Sequence, residues 1–137
     1  MAMTPEDVRR LLIEGYGYAP DVGFIFKGKR KVYVQGSCPG EVKGEGGVYF
    51  GKVESDGIRL TIEGSFLVGP KATKNVIEIS WKDTKRWLSG EDISVEFEGN
   101  AWVILHHGPY WLGGGKAVNG VVKNYVPKDR RLNPSKV

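Results

Sequence analysis

The feature that most narrows the possible folds is a recurring unit: short runs of alternating apolar and polar residues, joined by tight-turn signals. GFIFKGKRKVYV (23–34) alternates around a Lys-Gly centre and places Phe24, Phe26, Val32 and Val34 on one side. VYFGKV and IRLTIE flank Ser55-Asp56-Gly57, and KAVNGVVKNYV (116–126) alternates around Asn119-Gly120. Period-two alternation turns one face of a strand inward, and Asp-Gly or Asn-Gly supplies the left-handed backbone of a two-residue hairpin. The 20 glycines are scattered rather than periodic, which fits many short strands joined by tight turns. A mainly β domain is expected.

Two helices interrupt the strands. Thr4 suits an N-cap, Pro5 the first helical position, and Glu6 and Asp7 the positive end of the dipole; Val8, Leu11 and Leu12 share a face and Gly15 is the expected stop. The second, 80–90, has Ser80 as cap, Asp83 at the capping-box position and Gly90 just past the end, with Trp81, Trp87 and Leu88 expected in the core. Residues 35–46 form a turn-rich loop, and SFLVGPKATKN (65–75) forms a short apolar turn or helix leading into the strand VIEIS. ISVEFE and AWVILHH make two further strands, for about two helices and seven or eight strands in all. At 137 residues with 40% hydrophobic content the chain is expected to fold as one domain, 1–137, with 1–35 as a helix-and-hairpin subregion.

Charge is distributed unevenly. Six of the 20 Lys and Arg (Lys116, Lys123, Lys128, Arg130, Arg131, Lys136) follow Gly115, against one acid, Asp129, whereas residues 1–115 hold 14 bases and 15 acids. A localised positive field beside exposed rings suits a polyanion with bases to stack, which is nucleic acid. Lys116, Lys123, Lys128, Arg130 and Arg131 are the candidate phosphate contacts. Tyr110 and Tyr125 are candidate stacking faces, with Trp111 turned inward. Gly113, Gly114 and Gly115 let a phosphate or base approach main-chain amides, or form a bulge that bends a small barrel, or do both together. The cluster Lys27, Lys29, Arg30 and Lys31 is read as a solvated hairpin tip.

Other chemistries find little support. His106 and His107 are strand neighbours that point to opposite faces, and no Cys or third His stands at ligand spacing, so no metal is expected. The one cysteine, Cys38, can form no internal disulfide. Residues 1–10 have no apolar core, and no window approaches a membrane span. A cytoplasmic protein without cofactor is expected.

From Ser80 onward the order is KRWLSGEDI, then WVILHH, GPYWLGGGK and VVKNYVPKDRRL. This resembles the C-terminal PUA-like RNA-binding domain of the Sun/Nop family of RNA cytosine-C5 methyltransferases. The match rests on Trp87-Leu88-Ser89-Gly90-Glu91, Leu112-Gly113, Gly115-Lys116, Lys123-Asn124, Tyr125, Pro127-Lys128 and Arg130-Arg131, with GGVYFGKVESDGIRLTIEGSFLVG upstream. Trp87 stands where the family usually has Tyr, and Gly114 where an aromatic often sits. The resemblance implies an α+β fold, mainly β with flanking helices, in which 40–132 form a PUA-like mixed β pseudo-barrel. With the charge, glycine and ring pattern, it makes Tyr110, Gly113, Gly114, Gly115, Lys116, Lys123, Asn124, Tyr125, Lys128, Arg130 and Arg131 the candidate RNA contacts.

That family's chemistry uses two cysteines and a domain binding S-adenosylmethionine. One cysteine cannot fill two roles, and Gly44-Glu45-Gly46-Gly47 is not G-x-G-x-x-G after a strand. The expectation is a stand-alone, non-catalytic module that binds structured RNA (tRNA or rRNA), accessory to RNA modification or ribosome assembly, with a separate methyltransferase subunit as a further candidate partner. The alternative is a protein-interaction module docking onto such an enzyme or a ribonucleoprotein.

Overall fold

The computed structural model describes residues 4–27, 30–34 and 48–125. Helix α1 (Pro5–Tyr16) opens on the expected cap: Asp7 N–H donates to Thr4 Oγ1 at 3.3 Å while Thr4 N–H donates to the Asp7 carboxylate at 3.0 Å. It passes through Gly15 and ends at Gly17, whose φ of 79° lets its N–H reach Ile13 O. A helix stops where the chain can turn left-handed, and Gly15 stays helical. Val8, Leu12 and Tyr16, spaced four apart, are buried on one stripe.

Strands β1 (Phe24–Lys27), β2 (Lys31–Val34), β3 (Val48–Glu54) and β4 (Gly57–Leu60) form an antiparallel sheet in sequence order. The β1–β2 register pairs Phe24 with Val34 and Phe26 with Val32, as the alternation required. IRLTIE does not remain a strand. β4 stops at Leu60, and helix α2 (Ile62–Val68) begins there because Thr61 caps it, accepting from Gly64 N–H at 3.0 Å. A short 3₁₀ turn, Gly69–Lys71, follows.

The second sheet is mixed. β5 (Val76–Glu78), β6 (Ile93–Ser94), β7 (Asn100–His107), β8 (Tyr110–Val118) and β9 (Val121–Val122) are ordered β5-β7-β8-β9-β6, with β5 parallel to β7. Two expectations change here. ISVEFE contributes only Ile93–Ser94, paired with β9 rather than β7. GPYWLGGGK, which the resemblance places as a turn after WVILHH, is mostly strand: the reversal is confined to Gly108-Pro109, and the three glycines run inside β8. Asn119-Gly120 makes the expected tight turn, with φ of 52° and 83°. The described residues thus hold three α-helices and nine strands.

The first core cluster joins α1, the first sheet and Trp102 and Ile104 of β7. The second surrounds Trp87 of helix α3 (Trp81–Leu88), which is fully buried and donates from Nε1 to Leu112 O at 2.9 Å. Trp81 is not in the core. It is 53% exposed, because the buried stripe of α3 runs through Thr84 and Trp87 and leaves the first turn outside.

Glycines of opposite character give a direct check on this packing. A Cβ at Gly115 would lie 2.4 Å from Lys123 O and 2.9 Å from Trp87, whereas one at Gly15 meets nothing within 4 Å. Gly115→Ala is expected to destabilise by about 1–3 kcal/mol. Gly15→Ala should stabilise by about 0.5–1 kcal/mol, through helix propensity. Urea unfolding of the two variants measures both signs.

Candidate nucleic-acid interface

The site begins at an irregularity in β8. Ile104 pairs with Gly114 and His106 with Trp111, so Leu112 and Gly113 together stand opposite the single residue Leu105. This is a bulge, and Gly113 takes its left-handed position with φ 93°. Its N–H donates to Ser65 Oγ of α2 at 3.0 Å. Beyond it, the absence of a side chain at Gly114 lets the strand approach Val103 O and the Leu60 backbone, within 3.0–3.3 Å of where a Cβ would stand.

The glycines therefore bend and seat the strand. Of the two readings open in the sequence, the bulge is the one observed. The Gly113 amide is held by Ser65, so the run is no open amide cradle for a phosphate; Gly113 and Gly114 instead help to line a groove.

That groove has a volume of about 320 Å³ and lies between the two sheets. Leu60, Leu112, Gly113 and Gly114 line its base, Thr61, Ile62 and Glu63 enter from the start of α2, and Tyr49, Arg59 and Tyr125 complete it. Thr61 fixes the helix end there by donating from Oγ1 to Tyr49 O at 2.7 Å. The Arg59 guanidinium lies 4.4 Å from the centre of the Tyr125 ring and 3.7 Å from the Glu54 carboxylate. Tyr125 also packs at a tilt on Trp102, with centroids 5.6 Å apart, and keeps 41% of its surface exposed. Tyr49 stacks on Tyr33 at 5.1 Å; burial pushes its hydroxyl pKa up, with Arg59 opposing.

The cations of the last strands are less available than a charge count implies. Lys116 is ion-paired with Asp56 and lies 5.3 Å over the Trp102 ring, whose Nε1 donates to the same carboxylate at 2.8 Å. Lys123 lies 4.0 Å from Asp92. Asn124 belongs to the fold: Nδ2 donates to Trp87 O at 2.7 Å and Glu91 O at 2.9 Å, and its N–H donates to Asp92 at 2.8 Å. A side chain so committed clips the strand to the end of α3. Tyr110 is 60% exposed but is not among the residues lining the groove. Lys128, Arg130 and Arg131 lie outside the described residues.

Sequence alone did not single out Tyr49, Arg59, Trp102 or Asp56. Arg59 could have been found as the outward residue between Ile58 and Leu60, but nothing local indicated that it meets Tyr125. The histidines face apart as expected: His106 stacks on Trp111 at 4.5 Å, while His107 shares hydrogen-bond distance, 2.8 Å, with Ile79 O. No group of three metal-ligating side chains occurs among the described residues. No described helix is long and apolar enough to cross a membrane.

Mostly strand, with a curled mixed sheet forming a half-barrel and helices at its flank, this is a PUA-like α+β domain. Within that class, residues 74–132 match the family model described as the methyltransferase RsmF PUA domain. The resemblance drawn from the sequence is borne out. The chain is 28% identical over 134 residues to the ribosomal RNA small subunit methyltransferase F of Aeromonas salmonicida, covering 93% of this chain and 28% of that protein. It is 34% identical over 74 residues to the protein of the same name in Aeromonas hydrophila, covering 53% and 16%. The chain spans less than a third of the length of these relatives.

The Asp56 cluster predicts a pH dependence. Hydrogen bonds from Lys116 and Trp102 hold the Asp56 carboxyl below its ordinary pKa of 3.8. A depressed folded-state value stabilises above the unfolded pKa and is lost as pH falls through the folded one. The stability difference between the wild type and Asp56→Asn should be largest above about pH 4 and shrink below it, read from thermal melts between pH 2 and 7 at about 0.1 M salt.

Proposed function

We propose that this chain binds RNA, without chemistry of its own, in the service of ribosomal RNA modification. The observation that carries this is the groove: an apolar base of strand glycines and leucines, closed by a guanidinium-backed tyrosine. Tyr125 presents a ring face to an unpaired base, and Arg59 behind it adds positive charge and holds the ring. The sequence continues from Tyr125 into Lys128, Arg130 and Arg131, the last six residues on. They are assigned to the phosphate backbone, with Lys116 and Lys123 as secondary contacts because each has a carboxylate beside it. Gly113 and Gly114 give the base room rather than hydrogen bonds.

Ribosomal RNA is favoured over transfer RNA because the relatives are named as small-subunit ribosomal RNA methyltransferases. The module would hold that RNA for a methyltransferase catalytic unit, in the cytoplasm. With one cysteine in the sequence, where the resembled family's chemistry uses two, no reaction is assigned to the chain itself.

Fluorescence anisotropy with a small-subunit rRNA fragment tests this across a salt series. The expected result is binding whose log K falls with log salt, made shallower by about 2 on replacing Lys128, Arg130 and Arg131 together with alanine. Arg59→Ala combined with Tyr125→Ala should weaken binding by about 1–3 kcal/mol while far-UV circular dichroism is unchanged. Absence of binding at about 0.1 mM RNA, where non-specific contacts already register, would overturn the assignment.

A further inference from the structure

A second exposed aromatic surface lies apart from the groove. Trp81, on the first turn of α3, is 53% exposed and rests at a tilt on His107, with ring centroids 5.5 Å apart. His107 is the cross-strand partner of Tyr110, itself 60% exposed, at the β7–β8 hairpin end. Directly opposed residues on one sheet face lie side by side, so Trp81, His107 and Tyr110 form one contiguous row. None of the three lines the groove.

Within the row only His107 bonds back to the fold, at 2.8 Å from Ile79 O; the rings of Trp81 and Tyr110 stay largely in water. Packing between α3 and the sheet is carried by Thr84 and Trp87, both buried. Large rings left in water beside a well-packed core call for a ligand. Charge indicates which kind. Lys82 and Lys85 are exposed on the same helix, and Lys85 Nζ stands 6.0 Å over the Trp81 ring. Among the described residues, no carboxylate pairs with either lysine. Of the acids on α3 and the neighbouring strand β5, Asp83 lies beside Arg86 and Glu78 accepts from the Gly108 N–H. Ring faces edged by unpaired ammonium groups match single-stranded nucleic acid, which offers π-faces and phosphates together, better than they match an apolar protein surface.

We propose that the row Trp81–His107–Tyr110, with Lys82 and Lys85, is a second contact for single-stranded RNA. One strand would thereby be held at two places, the groove and the hairpin end. The proposal rests on RNA being the ligand of the groove.

Oligouridine of 16 nucleotides serves as the probe, titrated into the full chain at several salt concentrations. Trp81→Ala with Tyr110→Ala should weaken binding at least about fivefold. Trp81→Phe, which keeps a ring, should bind within about twofold of wild type. Lys82→Ala with Lys85→Ala should lower the salt slope by about 1.4. The indole N–H resonance of Trp81, assigned by its loss in Trp81→Phe, should shift on RNA addition.

Wild-type affinity in the Trp81/Tyr110 variant, together with a still Trp81 indole, overturns the second contact. In that case the groove assignment stands if Arg59→Ala with Tyr125→Ala still weakens binding. Loss of self-association or of a protein complex in the variant, with RNA affinity intact, also overturns it in favour of a protein-facing surface. No RNA binding by the wild type removes both proposals together.

Discussion

The close approach of β8 to β4 and α2 is the constraint on which the rest of the structure depends. A strand that carried side chains at 113–115 could neither bulge at Gly113 nor let Leu60 and Trp87 approach as they do. The three glycines meet three different requirements, which are a left-handed bulge, contact with the β4 backbone, and clearance for the Trp87 ring and Lys123 O. With these met, the two sheets close into a half-barrel, α2 docks through Ser65, and the indole of Trp87 finds its acceptor at Leu112. The groove is the space left where the strand bends away.

Electrostatics at the site come from pairs rather than from a uniform field. Lys116 and Asp56, bracketing the Trp102 ring, and Lys123 beside Asp92 are exposed enough that solvent screens them, so they orient side chains more than they stabilise the fold. Pairing also lessens their attraction for a polyanion. Under the proposed function, selectivity would fall to the rings and the groove shape, and affinity to the basic residues that follow Tyr125 in sequence. Tyr125 joins the two, since it is backed by Arg59 and Trp102 and sits at the head of that basic stretch.

Much of the architecture was legible where physics is local. The Thr4 cap, the alternating faces of the first hairpin, the Asn119-Gly120 turn and the capped helix at Ser80 depend on neighbours within a few residues, and all appear. The errors fall where tertiary context overrides propensity. ISVEFE has a strand pattern but pairs for only two residues. The helical spacing of Trp81 suggested burial, yet it lies one turn beyond the packed stripe. Gly15 looked like a stop, but only Gly17 takes the left-handed conformation.

Sequence by itself determined the fold class, the family resemblance and the location of the positive charge, because hairpin alternation, turn chemistry and a count of Lys and Arg are properties of short windows. The tertiary structure alone decided that Arg59 stands behind Tyr125, that Lys116 shares Asp56 with Trp102, and that the glycine run is a bent strand rather than an amide cradle. Those facts join residues far apart in the chain, and they are fixed by which strand lies beside which. No window of sequence contains that information, since pairing between distant strands is selected by the whole core.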